Sequence, residues 1–193
     1  MKRIVILASG NGSNAERIST YFEDKEGIEV AAILTNKSTA KVLERAKRLQ
    51  IPAFYFNKTA FSNSDAVVGL LRSLKPDIIV LAGFLWKVPL NIIRAFPGRI
   101  INIHPALLPK YGGKGMYGDH VHQAVKTNNE TETGITIHYV NEHYDKGAII
   151  HQAKVGIEPS DDIDGIANKV HQLEYEYFPK IIEDLLNSQN GED

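Results

Sequence analysis

Apolar residues fall along this chain in short unbroken runs, separated by stretches with helical spacing. Ile4-Val5-Ile6-Leu7-Ala8 has no polar residue to turn toward water, so it reads as a strand buried on both faces, the mark of a parallel sheet. It stops at Ser9-Gly10-Asn11-Gly12, a tight-turn signal. The alternation of patterns then predicts a helix from about Asn14 to Asp24, a strand at Val30–Leu34, a helix at Ala40–Leu49 and a short strand at Ala53–Phe56. A helix over Asp65–Leu74 ends before Pro76, and Ile78–Ala82, the most apolar run, should be a central strand.

Further on, a short helix is expected at Leu90–Ala95 and a strand at Arg99–Ile103. Gly112, Gly113, Gly115 and Gly118 crowd the loop that follows and predict a mobile flap. A helix at Asp119–Lys126 precedes two strands, Gly134–Val140 and Ala148–Val155, joined as a hairpin, and Ile163–Leu186 closes the chain as a long helix. From Asn187 onward the polar tail is expected to be disordered. The whole reads as an α/β fold: a doubly wound, mostly parallel sheet with a Rossmann-like N-terminal half and an antiparallel C-terminal hairpin, binding its ligands beyond the carboxyl ends of the strands. One domain is expected over 1–193, with a phosphate-binding βαβ half at 1–100, a catalytic half at 101–187 and a tail at 188–193.

Composition narrows the chemistry. The 22 Lys and Arg balance 23 Asp and Glu, so no overall field draws the molecule to nucleic acid or to an anionic membrane, and any anion site must be local. The absence of cysteine removes disulfides, thiolate nucleophiles and thiolate metal sites. The apolar run after Met1-Lys2-Arg3 is too short for a signal peptide or a membrane span, so a cytoplasmic location is expected. His120 and His122, two apart on an expected helix, face different directions, and no metal is predicted.

Two constellations carry chemistry. Gly10 to Ala15 leaves a strand and opens a helix, which turns backbone N–H groups toward an anion, and Ser13 and Asn14 add side-chain donors. A dinucleotide site would want an acid at the end of the second strand; Thr35-Asn36 stands there, so a phosphomonoester fits better, although the loop alone also fits a plain structural turn. In Asn102-Ile103-His104-Pro105, strand alternation turns Asn102 and His104 to one side, pairing an amide donor with an imidazole as acyl transfer through an oxyanion requires. A lone strand-end histidine is as readily a structural hydrogen bond. Asp145, in His143-Tyr144-Asp145-Lys146-Gly147, could orient His104 or take a proton through water, or be an ordinary turn aspartate. Glu174 on the last helix reads as a solvated charge.

Four ordered blocks, Gly10-Asn11-Gly12-Ser13-Asn14, Leu81-Ala82-Gly83-Phe84, Asn102 through Tyr111, and His138 through Asp145-Lys146-Gly147, resemble the folate-dependent phosphoribosylglycinamide formyltransferases over essentially the full length. The resemblance implies the formyltransferase fold and Asn102, His104 and Asp145 as the catalytic residues. It implies phosphoribosylglycinamide bound by Gly12, Ser13, Asn14, His171 and Glu174, and 10-formyltetrahydrofolate as co-substrate, held by Leu85, Trp86, Lys87, Val88, Asn102, Asn141, Glu142, His143, Tyr144 and Asp145. It further implies a step of purine biosynthesis, no metal, no nucleic-acid or membrane partner, and a monomer or homodimer. The chain departs from many members in carrying Trp86 and Ser64 where they have arginines, and in a longer flap at Gly112–Gly118. Related readings are a formate-releasing hydrolase, a transferase acting on methionyl-tRNA or an amino sugar, and a nucleotide sensor that keeps the fold without the activity. Against the first, the opening strand begins at Ile4; against the second, the chain ends at Asp193 with no basic domain.

Overall fold

The computed structural model describes residues 1–188. Its seven strands, β1 (Lys2–Ala8), β2 (Ile28–Thr35), β3 (Ala53–Tyr55), β4 (Ile78–Leu81), β5 (Ile100–His104), β6 (Glu132–Tyr139) and β7 (Ile149–Gly156), form one sheet in the order β3-β2-β1-β4-β5-β6-β7. The first five are parallel, β6 runs antiparallel to β5, and β7 antiparallel to β6. The run 78–82 is the central strand, as its lack of polar residues predicts.

Helices cover both faces: α1 (Ser13–Phe22), α2 (Val42–Arg48) and the long α7 (Ile163–Ser188) on one, and α3 (Lys58–Ser62), α4 (Ala66–Leu74) and α5 (Leu90–Ala95) on the other. This two-sided cover explains the unbroken apolar runs. Ile4, Ile6, Ile78 and Val80 pack against Ile18, Phe22, Val170 and Phe178, while their neighbours Val5, Leu7, Ile79 and Leu81 pack against Phe61, Val67, Leu71 and Ile92. Cutting a fully buried member such as Ile6 back to alanine should cost about 2–5 kcal/mol.

The sheet is wound outward in both directions from β1 and β4, so a crevice opens beyond their carboxyl ends, where ligands of such sheets bind. There Ser9 N–H donates to the Gly83 carbonyl at 3.0 Å, tying the two turns together. α6 (Asp119–Thr127) links β5 to β6.

One element is unforeseen and one expectation needs correcting. Between β3 and α4, Asn57 caps the short α3 by accepting from Ala60 N–H at 2.9 Å, a five-residue helix too short to show periodicity. Asn187 and Ser188 are not a loose tail but the last turn of α7, whose Leu186 is fully buried; the remaining tail positions, 189–193, lie outside the described residues.

Candidate active site

A cavity of about 900 Å³ lies over the carboxyl ends of β1, β4 and β5. Gly12, Ser13, Asn14, Leu85, Trp86, Lys87, Val88, Asn102, His104, Asn141, His143, Tyr144, Asp145, His171 and Glu174 all line it, together with Lys37 and the flap residues Gly113–Gly118. Of the residues expected at the site, Glu142 alone stays off its wall; it is exposed beside His143, 3.9 Å away. Ser64 borders a separate depression between α3 and α5.

At one end, α1 begins without a side-chain cap, so the first N–H groups of the helix are free to meet an anion. Gly12 makes this possible in two ways. Its φ is +76°, and a Cβ there would stand 2.3 Å from Val42 Cγ2 and 2.9 Å from Val42 Cα, so α2 leaves no room for a side chain. Arg45 of α2 braces the turn by donating to the Asn11 carbonyl at 2.8 Å.

Glu174 overturns the reading of a solvated charge. It is 5% exposed and accepts from Asn14 Nδ2 at 2.9 Å, while His171 Nδ1 lies 3.0 Å from the same oxygen. The hydrogen bond to Glu174 raises the His171 pKa above the ordinary imidazole value, against the opposing pull of burial. Helix spacing hides this in the sequence, because the partner Asn14 belongs to α1, at the other end of the chain.

At the centre, Asn102, His104 and Asp145 converge. Asp145 Oδ2 lies 3.8 Å from His104 Nδ1, and Asp145 Oδ1 lies 3.6 Å from Nε2 of His138, just beyond hydrogen-bond reach in each case. His104 Nε2 faces the Tyr111 carbonyl at 2.7 Å and must donate to it, which leaves Nδ1 for the cavity side. Burial pushes the His104 pKa below its ordinary value; Asp145 and the Tyr111 carbonyl oppose this without cancelling it, so the resting imidazole is neutral. Burial works to raise the Asp145 pKa, but its polar surroundings, with the Gly113 N–H donating to it at 2.8 Å, hold it below the carboxylate norm. Tyr111 and Asp145 both have left-handed backbones, φ +55° and +52°, a conformation that costs a residue with a side chain about 1–2 kcal/mol.

Sequence reasoning left His138 out of the site. It is 2% exposed and stands directly across from Asn102 in the β5–β6 register. Its Nδ1 donates to the Tyr139 carbonyl at 2.8 Å, so its Nε2 accepts from Asn102 Nδ2 at 3.1 Å. That fixes which end of the Asn102 amide is nitrogen and leaves its second N–H for a ligand. The signal that could have found it is cross-strand pairing, visible only once β6 is known to lie antiparallel beside β5.

Trp86 packs edge-on against Phe56, with Lys58 Nζ 4.6 Å above its ring. Among the described residues no group of three or more His, Asp or Glu could hold a metal ion, and no helix is long and apolar enough to cross a membrane.

The formyl transferase family matches residues 2–182. The chain is 37% identical to the phosphoribosylglycinamide formyltransferase of Bacillus subtilis, over 98% of this chain and 97% of that one. It is 39% identical to the enzyme of the same name from Haemophilus influenzae, over 94% of this chain and 86% of that one. The crystal structure of phosphoribosylglycinamide formyltransferase from Bacillus halodurans superposes with a TM-score of 0.87 at 36% identity, covering 96% of this chain and 95% of the other.

Proposed function

This chain belongs to the formyl transferase family, and we propose that it acts as a phosphoribosylglycinamide formyltransferase, moving the formyl group of 10-formyltetrahydrofolate onto the glycinamide amine in purine biosynthesis. The observation that carries the reading is the meeting of an amide N–H, a neutral imidazole and an ionised carboxylate in one cavity, beside an uncapped helix start suited to a phosphate.

The ribonucleotide phosphate sits at Gly12, Ser13 and Asn14, with His171 and Glu174 reaching its ribose or glycinamide part. The folate lies along Leu85–Val88 and the loop of Asn141, His143 and Tyr144. The neutral amine then attacks the formyl carbon directly, and the carbonyl oxygen, as it becomes an oxyanion, takes the free N–H of Asn102. The amine nitrogen now carries one proton too many. His104 Nδ1 is unprotonated and takes it, directly or through a water, and Asp145 steadies the resulting imidazolium. The imidazolium returns the proton to the departing folate nitrogen as the tetrahedral centre collapses, so the imidazole ends neutral.

The test is a spectrophotometric formyl-transfer assay with phosphoribosylglycinamide as acceptor. Turnover that depends on the acceptor supports the reading. Formate release from 10-formyltetrahydrofolate alone would instead make the chain a hydrolase, and tight binding of both ligands without transfer would make it a sensor. The location in the cytoplasm is proposed on the same basis as the pathway.

A further inference from the structure

His122, in the first turns of α6, belongs to none of the roles above. It lines the cavity yet is 2% exposed, and its Nδ1 is enclosed with no hydrogen-bond partner. Leaving a buried nitrogen unpaired costs stability, and a leucine of similar shape would avoid that cost. The imidazole must be justified by its other nitrogen. A neutral ring whose enclosed Nδ1 meets no acceptor is best served by carrying its proton on Nε2, which makes Nε2 a fixed donor.

We propose that His122 binds the acceptor substrate, its Nε2–H donating to an oxygen of the ribosyl part of phosphoribosylglycinamide. The proposal rests on the acceptor reading given above. The acceptor is favoured over the folate by the company His122 keeps. His171 and Glu174 are the charged groups acting on it most strongly from α7, ahead of Asp119 on its own helix and His104 on β5. Glu174 in turn is bonded to Asn14 at the phosphate turn. A donor in that quarter meets the sugar, not the pterin. Burial lowers the His122 pKa, which keeps the ring in the neutral form that has one donor and no charge to desolvate.

Binding of phosphoribosylglycinamide, measured by calorimetry without folate, should weaken between about two- and tenfold in His122→Leu, the range of one net hydrogen bond. His122→Gln, whose amide nitrogen reaches the place of Nε2, should stay within about twofold of wild type. Folate binding should be unchanged in both, and the melting temperature of His122→Leu should equal or exceed that of wild type. A leucine variant that binds the ribonucleotide like wild type would overturn the assignment, as would glutamine and leucine failing equally or folate affinity falling in step. If wild-type protein itself did not bind phosphoribosylglycinamide, the functional reading would fall and this inference with it; wild-type binding with an indifferent leucine variant removes the inference alone.

Discussion

Asn102→Ala tests the geometry at its centre. The amide has two N–H groups: His138 Nε2 takes one at 3.1 Å, and the other is free for the developing oxyanion. Alanine therefore removes one preorganised donor, worth about 3 kcal/mol, and single-turnover formyl transfer should slow by a factor of about 10²–10³ with ribonucleotide affinity nearly intact. His138→Leu removes the acceptor that orients the amide but not the amide itself, so it should cost only the net worth of a hydrogen bond, about 0.5–1.5 kcal/mol or roughly two- to tenfold in rate. The two effects run through the same N–H. The double variant should then be little slower than Asn102→Ala, leaving a coupling of about 0.5–1.5 kcal/mol in the cycle. The melting temperature of each variant checks that the fold persists. Losses that simply multiply would refute the claim that His138 acts through Asn102, and an Asn102→Ala rate within about tenfold of wild type would refute the oxyanion assignment.

Gly12→Ala should destabilise the protein by about 2–4 kcal/mol in urea unfolding, from the left-handed backbone and the overlap with Val42, and weaken ribonucleotide binding at least about tenfold; Val42→Ala should rescue it only in part, because Val42 Cα itself lies 2.9 Å from the added carbon. Glu174→Gln should let the His171 pKa fall back toward its ordinary value, read by histidine NMR titration, and lower ribonucleotide affinity by loosening Asn14. Below pH about 6.5 the unfolded chain protonates His104 and His122 while the folded chain resists, so their share of stability is present above that pH and lost as pH falls through their lowered folded values. His171 has the opposite sign: its share is complete below pH about 6.5 and lost as pH rises through its raised value. Replacing His104 with asparagine should flatten the acid-side fall by up to about 1.4 kcal/mol per pH unit, measured by denaturant unfolding between pH 7 and 5.

Much of the fold was legible because burial on two faces leaves no choice of residue. Runs such as 4–8 and 78–82 read as inner strands of a parallel sheet, and the turns at their ends place Gly12 and Gly83 at one rim. What stayed hidden depends on contacts between distant segments. Glu174 looks like any surface carboxylate until Asn14 is brought against it from 160 positions away. His138 looks like one more strand residue until β6 is laid antiparallel beside β5. α3 escaped because five residues hold too little of a helical period.

The reversal of strand direction at β6 also explains why the site is built where it is. A parallel neighbour of β5 would have to arrive by a crossover; β6 instead passes His104 at the rim and runs back to Tyr139 opposite Ile101, and the β6–β7 loop then folds over to line the cavity. That loop must pass very close. A Cβ on Gly147 would fall 1.6 Å from the Tyr139 carbonyl oxygen, so only glycine lets the chain turn there. The same carbonyl accepts the Nδ1 proton of His138, and so decides that Nε2 faces Asn102 as an acceptor. Asp145 rides on that loop two residues earlier, held by the Gly113 N–H of the flap at 2.8 Å. One glycine thus lies behind both the tautomer that aims the Asn102 amide and the carboxylate that answers His104, which couples the shape of the sheet edge to the placement of charge in the cavity.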